Sequence, residues 1–144
     1  MRSVATELRY EIDQSDDQER ADLIDDRLLT FNLRHVPEAS VRPLKVYAVD
    51  ASSRMLGGLV AKMVWGWLEI GSIWVNDELR RNGIGARLLA EAEEAARRGG
   101  CTAVRLSTWE FQARDFYLRR GYVMYGRLDN YPAGHTVYYL RKDL

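Results

Sequence analysis

The residues with the clearest chemical potential form a short run in the middle of the chain, where an apolar stretch ends and a helical pattern begins. This run reads Arg80-Arg81-Asn82-Gly83-Ile84-Gly85. The first turn of a helix leaves backbone N–H groups without partners, and the aligned peptide dipoles add a partial positive charge there. Glycines at positions 83 and 85 would keep side chains away from those amides, and the arginines add positive charge. The run therefore predicts a phosphate-binding turn, although a capped helix with a solvated basic turn explains the spacing equally well.

Two familiar nucleotide-binding loops do not fit this run. A Walker A loop needs a Gly-Lys-Ser or Gly-Lys-Thr tripeptide, and the sequence contains neither. The dinucleotide fingerprint needs a third glycine at position 88, where this chain has Leu88. If the run binds an anion, it therefore does so as a different kind of loop from these two.

The surrounding pattern predicts the elements that would position this run. Apolar alternation and short apolar runs predict seven strands, over residues 4–12, 44–49, 55–65, 67–75, 103–108, 122–128 and 136–140. Three helices are predicted: one from a capping box at Ser15 and Gln18 to about Arg34, and two over residues 83–98 and 112–120. Pro37 and Pro43 bracket a loop. The order is that of a mixed α/β sheet flanked by helices.

Bulk composition is that of an ordinary globular domain. The 144 residues favour a single domain over residues 1–144. With 21 basic and 21 acidic side chains, no overall attraction to nucleic acid or to a membrane surface is expected. One cysteine and two histidines offer no metal-ligand spacing, so we expect no metal. The chain shows neither a signal-peptide pattern nor a long apolar run, and a cytoplasmic location is expected.

Two blocks of the sequence together resemble the GNAT superfamily of N-acetyltransferases, in a small bacterial-type form. Residues 80–85 match its acetyl-CoA loop, Arg/Gln-x-x-Gly-x-Gly/Ala, and follow an apolar strand as in the family. Residues 113–122 match a second block, Ala-x-x-Phe-Tyr-x-x-x-Gly-Phe/Tyr. The resemblance extends from about Trp67 to Tyr122. It implies the GNAT acyl-CoA N-acyltransferase fold, with a central, mostly antiparallel mixed sheet of about seven strands.

The resemblance also implies a cofactor and the residues that hold it. The cofactor is acetyl-CoA, with coenzyme A as the product. The strand before the loop should line the pantetheine arm, the loop should hold the diphosphate, and the second block should complete the site. The implied cofactor-binding residues are Ile73, Trp74, Val75, Arg80, Arg81, Asn82, Gly83, Ile84, Gly85, Ala86, Gln112, Phe116 and Tyr117. Many members carry Asn where this chain has Glu110, and Gln112 is the alternative amide.

The implied reaction is attack of a primary amine on the thioester through a tetrahedral intermediate. In the family, a tyrosine at the position of Tyr117 gives a proton to the departing sulfur; the alternative is a core aromatic residue. Glu69 is the candidate base, because many members use a glutamate on this strand. Its apolar neighbours Leu68 and Ile70 should raise the pKa of Glu69. The alternative is an outward-facing residue on a half-exposed strand.

The acceptor site is the least specified part of this interpretation. In the fold it forms from the first helix, the middle strands and the final hairpin. The candidates there are Asn32, Trp65, Trp67, Tyr131 and His135. Aromatic walls favour a flat or cationic small-molecule amine, although such residues also simply pack a sheet. A peptide acetyltransferase and a non-catalytic acyl-CoA sensor remain alternatives. Exposed edge strands make a homodimer reasonable.

Overall fold

The computed structural model describes residues 7–36 and 41–144, which fall into two compact units, Met1–Pro37 and Glu38–Leu144. The first unit contains one helix, α1 (Glu19–Asn32). The second contains the sheet, two further helices and a short 3-10 turn (Asp77–Leu79). Its elements are β1 (Val41–Val49), β2 (Met55–Val64), β3 (Trp67–Val75), α2 (Ile84–Arg98), β4 (Ala103–Trp109), α3 (Arg114–Leu118), β5 (Val123–Asp129) and β6 (Thr136–Asp143).

The beginning of the chain differs from the prediction. Residues 4–6 of the predicted first strand lie outside the described residues, and residues 7–12 form no strand. Side-chain alternation creates no strand where no neighbouring backbone supplies hydrogen bonds. The capping box is also wrong, because Gln18 occupies the N-cap position without a side-chain capping bond. The Asp17 carboxylate instead accepts a hydrogen bond from the Glu19 amide at 3.0 Å.

The described residues of the second unit form one six-stranded sheet in the order β1-β2-β3-β4-β6-β5. Only the β3–β4 pair is parallel, with α2 as the crossover between its strands. The mixed α/β class is confirmed, and the expected seven strands are six in the described part. β1 also includes Pro43, which was expected in a loop; an edge strand tolerates a residue that cannot donate to a ladder. Residues 37–40 of that expected loop are not among those described.

The core of the second unit lies between the sheet and α2. The helix buries one apolar stripe: Leu88, Ala92 and Ala96 are buried, and they pack against Leu68 and Ile70 of β3 and their strand neighbours. Gly83 at the N-cap and Gly99 at the C-cap set its ends. Because α2 begins just after β3, its first turn lies at the carboxyl end of the parallel pair.

Within the described residues, no helix has both the length and the apolar character needed to cross a bilayer.

Candidate functional site

The central feature of the site is an opening between the two parallel strands. β3 and β4 pair only from Trp67 to Glu69 and from Ala103 to Arg105. Beyond these residues the strands no longer share a ladder, although β3 still pairs with β2 and β4 with β6. The facing backbone groups of the two strand ends therefore have no ladder partner across the opening. A narrow polar chain that can hydrogen-bond to backbone would fit there.

A bulge in β3 marks the start of this opening. Val60 of β2 pairs with Ser72, whereas the next residue, Ala61, pairs with Ile70. Gly71 is therefore the extra residue of the bulge. Bulges bend a strand and interrupt its pairing, and they are common beside active sites. A glycine inside a strand pattern is the one sequence signal for this bulge.

The predicted anion loop begins where β3 ends. Asn76 caps the 3-10 turn by accepting a hydrogen bond from the Glu78 amide at 3.1 Å. Arg81 and Gly83 both have positive φ, at 69° and 77°, and α2 then starts at Ile84. The helix start has no side-chain cap and no acidic residue in its first turn. Its amides and dipole thus remain available to an anion.

The two glycines of the loop play different parts. A Cβ at Gly83 would meet nothing within 4 Å, so this position faces open space, as expected for a residue that clears room for a ligand. A Cβ at Gly85 would lie 3.6 Å from the Phe116 ring and 3.7 Å from Val75. Gly85 therefore faces protein, and the idea that it clears space for a phosphate is wrong. It brings the helix start close to β3 and α3.

The other residues of the loop and of the strand before it differ in charge and in exposure. Arg80 makes an exposed ion pair with Asp77 at 2.9 Å, so part of its charge is already compensated. Arg81 and Asn82 are exposed, whereas Ile84 and Ala86 are half-buried at the helix start. Of the strand residues before the loop, Ile73 and Val75 pack against the core cluster, while the Trp74 side chain is about half exposed.

Tyr117 is buried on the α2 side of the sheet, with 4% of its surface exposed. Its ring meets those of Phe116 and Tyr122 edge to face. It shares a buried cluster with Ile70 and Leu106, the first residues beyond the end of the β3–β4 pairing. Burial raises the pKa of Tyr117 to about 12, so the phenol stays protonated at neutral pH. The packing confirms a core aromatic residue and leaves the hydroxyl in the form that can donate a proton.

Glu69 lies on the opposite face of β3, and its surroundings differ from the prediction. Leu68 and Ile70 point into the core, so they do not enclose the carboxylate. Its Oε1 accepts a hydrogen bond from Nε of Arg105 at 3.1 Å, and Nζ of Lys62 lies 3.5 Å from Oε2. The apolar environment inferred from sequence neighbours is wrong, because strand neighbours alternate between faces.

Two clefts meet at Glu69 on this face. One, of about 360 Å³, lies over the opening and is lined by residues that include Val60, Gly71, Ser107 and Tyr139. The other, of about 450 Å³, extends toward the start of β3. Glu69, Arg105 and Tyr125 line both clefts. The two clefts thus form one groove with the carboxylate near its middle.

The predicted acceptor residues of the second unit lie in two places. Trp65 and Trp67 line the second cleft, near the start of β3. Tyr131 and His135 lie in the loop between β5 and β6, next to the end of β4. Asn32 belongs to the first unit. Sequence reasoning also missed Arg105 and Arg141, which line the groove. A charged residue in an otherwise apolar strand was the available signal for Arg105, whereas Arg141 begins a charged run after the predicted strand 136–140 and offered no such signal.

Glu110 and Gln112 both stabilise the end of β4. The Glu110 carboxylate accepts a hydrogen bond from the Thr136 amide at 2.9 Å and contacts Nδ1 of His135 at 2.5 Å. Burial opposes ionisation of Glu110, but these hydrogen bonds outweigh it and lower its pKa. The Gln112 amide oxygen accepts from the Trp109 amide at 3.1 Å. Only the amide nitrogen of Gln112 is left to face a cofactor.

The mixed sheet, with a glycine-rich helix start after β3, agrees with the arrangement that the two sequence blocks implied for an acyltransferase, and the structure adds the opening between the parallel strands. Residues 6–122 match the Acetyltransferase (GNAT) family, and the chain belongs to that family. The protein is an acetyltransferase. The expectation drawn from the two sequence blocks is confirmed.

Known proteins of this kind cover most of the chain. A blasticidin-S acetyltransferase of Streptomyces morookaense is 41% identical over 116 residues, which span 78% of this chain and 85% of that protein. A crystal structure of an Agrobacterium tumefaciens protein described as an acetyltransferase has a TM-score of 0.88 at 30% identity, covering 95% of this chain and 100% of that one. A Bacillus anthracis protein described as a streptothricin acetyltransferase, solved with acetyl coenzyme A, shares the fold with a TM-score of 0.64 at 24% identity, over 72% and 63% of the two chains.

Proposed function

We propose that this acetyltransferase moves the acetyl group of acetyl-CoA to a primary amine of a small molecule by direct attack. The observation that carries the proposal is the opening between β3 and β4, because it joins the helix start at one end to Glu69 at the other. A family relative that acts on blasticidin S supports a small-molecule acceptor. A protein of the same fold was solved with acetyl coenzyme A, which supports the donor.

The residues present fit acetyl-CoA. The first amides of α2, the open space at Gly83 and the adjacent Arg80 and Arg81 suit a diphosphate. The unpaired edges of Ile73, Trp74 and Val75 suit the amides of a pantetheine arm, and the Gln112 amide nitrogen can add a donor. Acetyl-CoA supplies an acetyl group already activated as a thioester. Held by these residues, that group would lie in the opening.

Two side chains on opposite faces of the sheet divide the proton transfers. Glu69 lies in the groove and, as a carboxylate, accepts the proton that the attacking amine must lose. Tyr117 lies among the residues that flank the opening from the core side, and its protonated hydroxyl donates to the sulfur as the C–S bond breaks. Arg105 and Lys62 hold the Glu69 carboxylate at the groove. The amine thus approaches the thioester from the groove face of the sheet, and the departing sulfur faces Tyr117 on the core side.

The test is a thiol-release assay with acetyl-CoA over a panel of amines and short peptides, together with calorimetric binding of CoA. For Tyr117→Phe we expect CoA affinity to change little and kcat to fall about a hundredfold or more. Tyr47→Phe, at an exposed tyrosine of β1, is the matched control and should retain kcat. An unchanged kcat in Tyr117→Phe would show that Tyr117 is not the acid.

The same assay separates the alternative functions. CoA binding without turnover on any amine or peptide would indicate a sensor, and turnover on peptides alone would indicate a protein acetyltransferase.

Two broader features complete the proposal. Residues 1–144 act as a single domain, which is supported by a family match that includes residues of both units. Two copies associate through an edge of the sheet: β5 is an edge strand and exposes Val123, Met124 and Leu128. Light scattering tests the association, and a monomer mass at assay concentration would reject it.

A further inference from the structure

A row of charged side chains crosses four strands on the groove face. Lys62 pairs in register with Glu69, Glu69 with Arg105, and Arg105 with Arg141. Three of these four side chains are cationic, and the single acid is already bound by two of them. Arg105 and Arg141 stand directly opposite each other, an arrangement that costs stability. Arg141 also pairs with the exposed Asp143 at 2.8 Å, which compensates part of its charge. With Asp143 included, three cations still face two acids, so the groove floor keeps an excess of positive charge.

The cationic end of this row lies beside flat aromatic surface. The guanidinium of Arg141 lies over the Trp67 ring, 4.9 Å from its centre. Stacking on an aromatic face leaves the N–H groups at the guanidinium edge directed sideways, where they can bind an anion. Nη2 of Arg141 already donates to the Asp143 carboxylate at 2.8 Å, so a ligand would bind the remaining N–H groups or compete with Asp143. Trp65 and Tyr125, each about half exposed, line the same cleft. This end of the groove thus suits a flat group that carries a negative charge.

An acceptor with only positive charges does not suit this groove. It would be repelled by Arg105, Arg141 and Lys62, whereas the aromatic residues in the sequence suggested a flat or cationic acceptor. A carboxylate on the acceptor would reverse this balance. β3 and β6 lie two strand spacings apart, roughly 10 Å, so an amine at Glu69 and a carboxylate at Arg141 must be separated by several bonds.

We infer that the acceptor is a flat molecule bearing a carboxylate several bonds from its primary amine, with Arg141 and Trp67 binding the carboxylate end and Glu69 receiving the amine. Arg141 is then a specificity-determining residue of the groove. This inference rests on the proposed function, since it assumes that the amine reacts beside Glu69.

The probes are three primary amines built on the same benzylamine ring. 4-(Aminomethyl)benzoate carries the carboxylate across a flat ring, 4-(aminomethyl)benzamide replaces it with a neutral amide, and benzylamine lacks it. Binding is followed by the fluorescence of Trp65 and Trp67 and turnover by thiol release. We expect the benzoate to be favoured over the benzamide by about tenfold or more in Kd and in kcat/KM, the range of one charge-assisted contact.

The variants separate a local contact from a change in overall charge. Arg141→Gln should abolish the preference for the benzoate. Arg127→Gln is the matched control, because Arg127 also pairs with an aspartate two residues later at 2.8 Å but lines neither cleft. Arg141→Lys, which keeps the charge and loses the planar fork, should retain part of the preference, and it replaces Arg141→Gln if that variant fails to fold.

The outcomes are distinct. Equal or better binding of the benzamide, equal effects of Arg141→Gln and Arg127→Gln, or no binding of any probe would each overturn the inference. Preferential binding of the benzoate that depends on Arg141, without turnover of any amine, would support the carboxylate site while rejecting the proposed function.

Discussion

At the scale of single residues, the pair assigned to proton transfer shows how burial and charge prepare two side chains differently. Tyr117 is enclosed by aromatic rings, which favours its neutral form. Glu69 lies in the groove, where Arg105 donates a hydrogen bond to its carboxylate and Nζ of Lys62 lies 3.5 Å from Oε2. Burial therefore keeps the phenol protonated at neutral pH, while cationic neighbours hold the carboxylate in position.

The buried phenol has a consequence for stability at alkaline pH. Tyr117 holds its proton up to about pH 12 when folded, whereas an unfolded tyrosine releases it near pH 10. Between these values the folded state binds more protons, so the stability it contributes is complete below about pH 10 and is lost as pH rises through about 12. Up to about 2–3 kcal/mol of unfolding free energy is involved.

Tyr117→Phe should therefore lose less unfolding free energy than the parent protein between about pH 8 and about pH 12. Urea titrations at both pH values measure the difference. Tyr47→Phe, at an exposed position, should behave like the parent. If Tyr117→Phe and the parent lose equal stability, the phenol is not desolvated as described.

Replacement of the candidate base should affect turnover alone. In Glu69→Gln we expect kcat to fall about a hundredfold or more, because the amide cannot take the proton, while CoA affinity is retained. Steady-state kinetics and CoA titration measure the two quantities. Glu91→Gln, on the exposed side of α2 and also paired with an arginine, is the control. A parent-like kcat in Glu69→Gln would show that another group, or solvent, takes the proton.

At the scale of elements, the start of α2 links backbone conformation to the cofactor. Gly83 and Gly100 lie near opposite ends of this helix, both with positive φ and both with open space where a Cβ would point. Replacement of either by alanine carries the same conformational penalty. Only Gly83 lies at the end where the first amides of the helix face the proposed diphosphate.

Gly83→Ala and Gly100→Ala should each lower the unfolding free energy by about 1–2 kcal/mol. Gly83→Ala alone should also weaken CoA binding, by about fivefold or more, because its methyl group and the shifted turn disturb the anion site. Denaturant unfolding and calorimetry give the two values. Equal CoA affinities in the two variants would place the diphosphate elsewhere.

At the scale of the whole molecule, a buried ion pair ties the crossover helix to the last strand. Lys142 Nζ of β6 lies 2.8 Å and 3.0 Å from the two oxygens of Glu93 in α2, and Glu93 is 4% exposed. Burial, reinforced by the Glu93 charge, raises the pKa of the adjoining Tyr122. Removal of one partner would leave a charge in the interior without compensation.

Lys142→Met should lower the unfolding free energy by about 3–5 kcal/mol. Arg87→Met breaks an exposed pair on the same helix and should cost less than about 1 kcal/mol. Adding Glu93→Gln to Lys142→Met should recover part of the loss, since the orphaned charge is then gone. Similar losses in the two single variants would show that the Glu93–Lys142 pair is solvated.

The sequence alone determined the order of the helices and strands after residue 40, although not the first residues of β1, together with the mixed α/β class and the family, because periodicity, glycines and motifs act over a few neighbouring residues. It failed for the first strand, since alternation near Leu8 and Tyr10 cannot supply a partner strand. Only the tertiary structure decided what surrounds Glu69, which way Gly85 faces, and that Arg105 and Arg141 share a groove with Trp67. These features depend on strand register and on a bulge, which bring together residues far apart in the chain and change which face a side chain occupies.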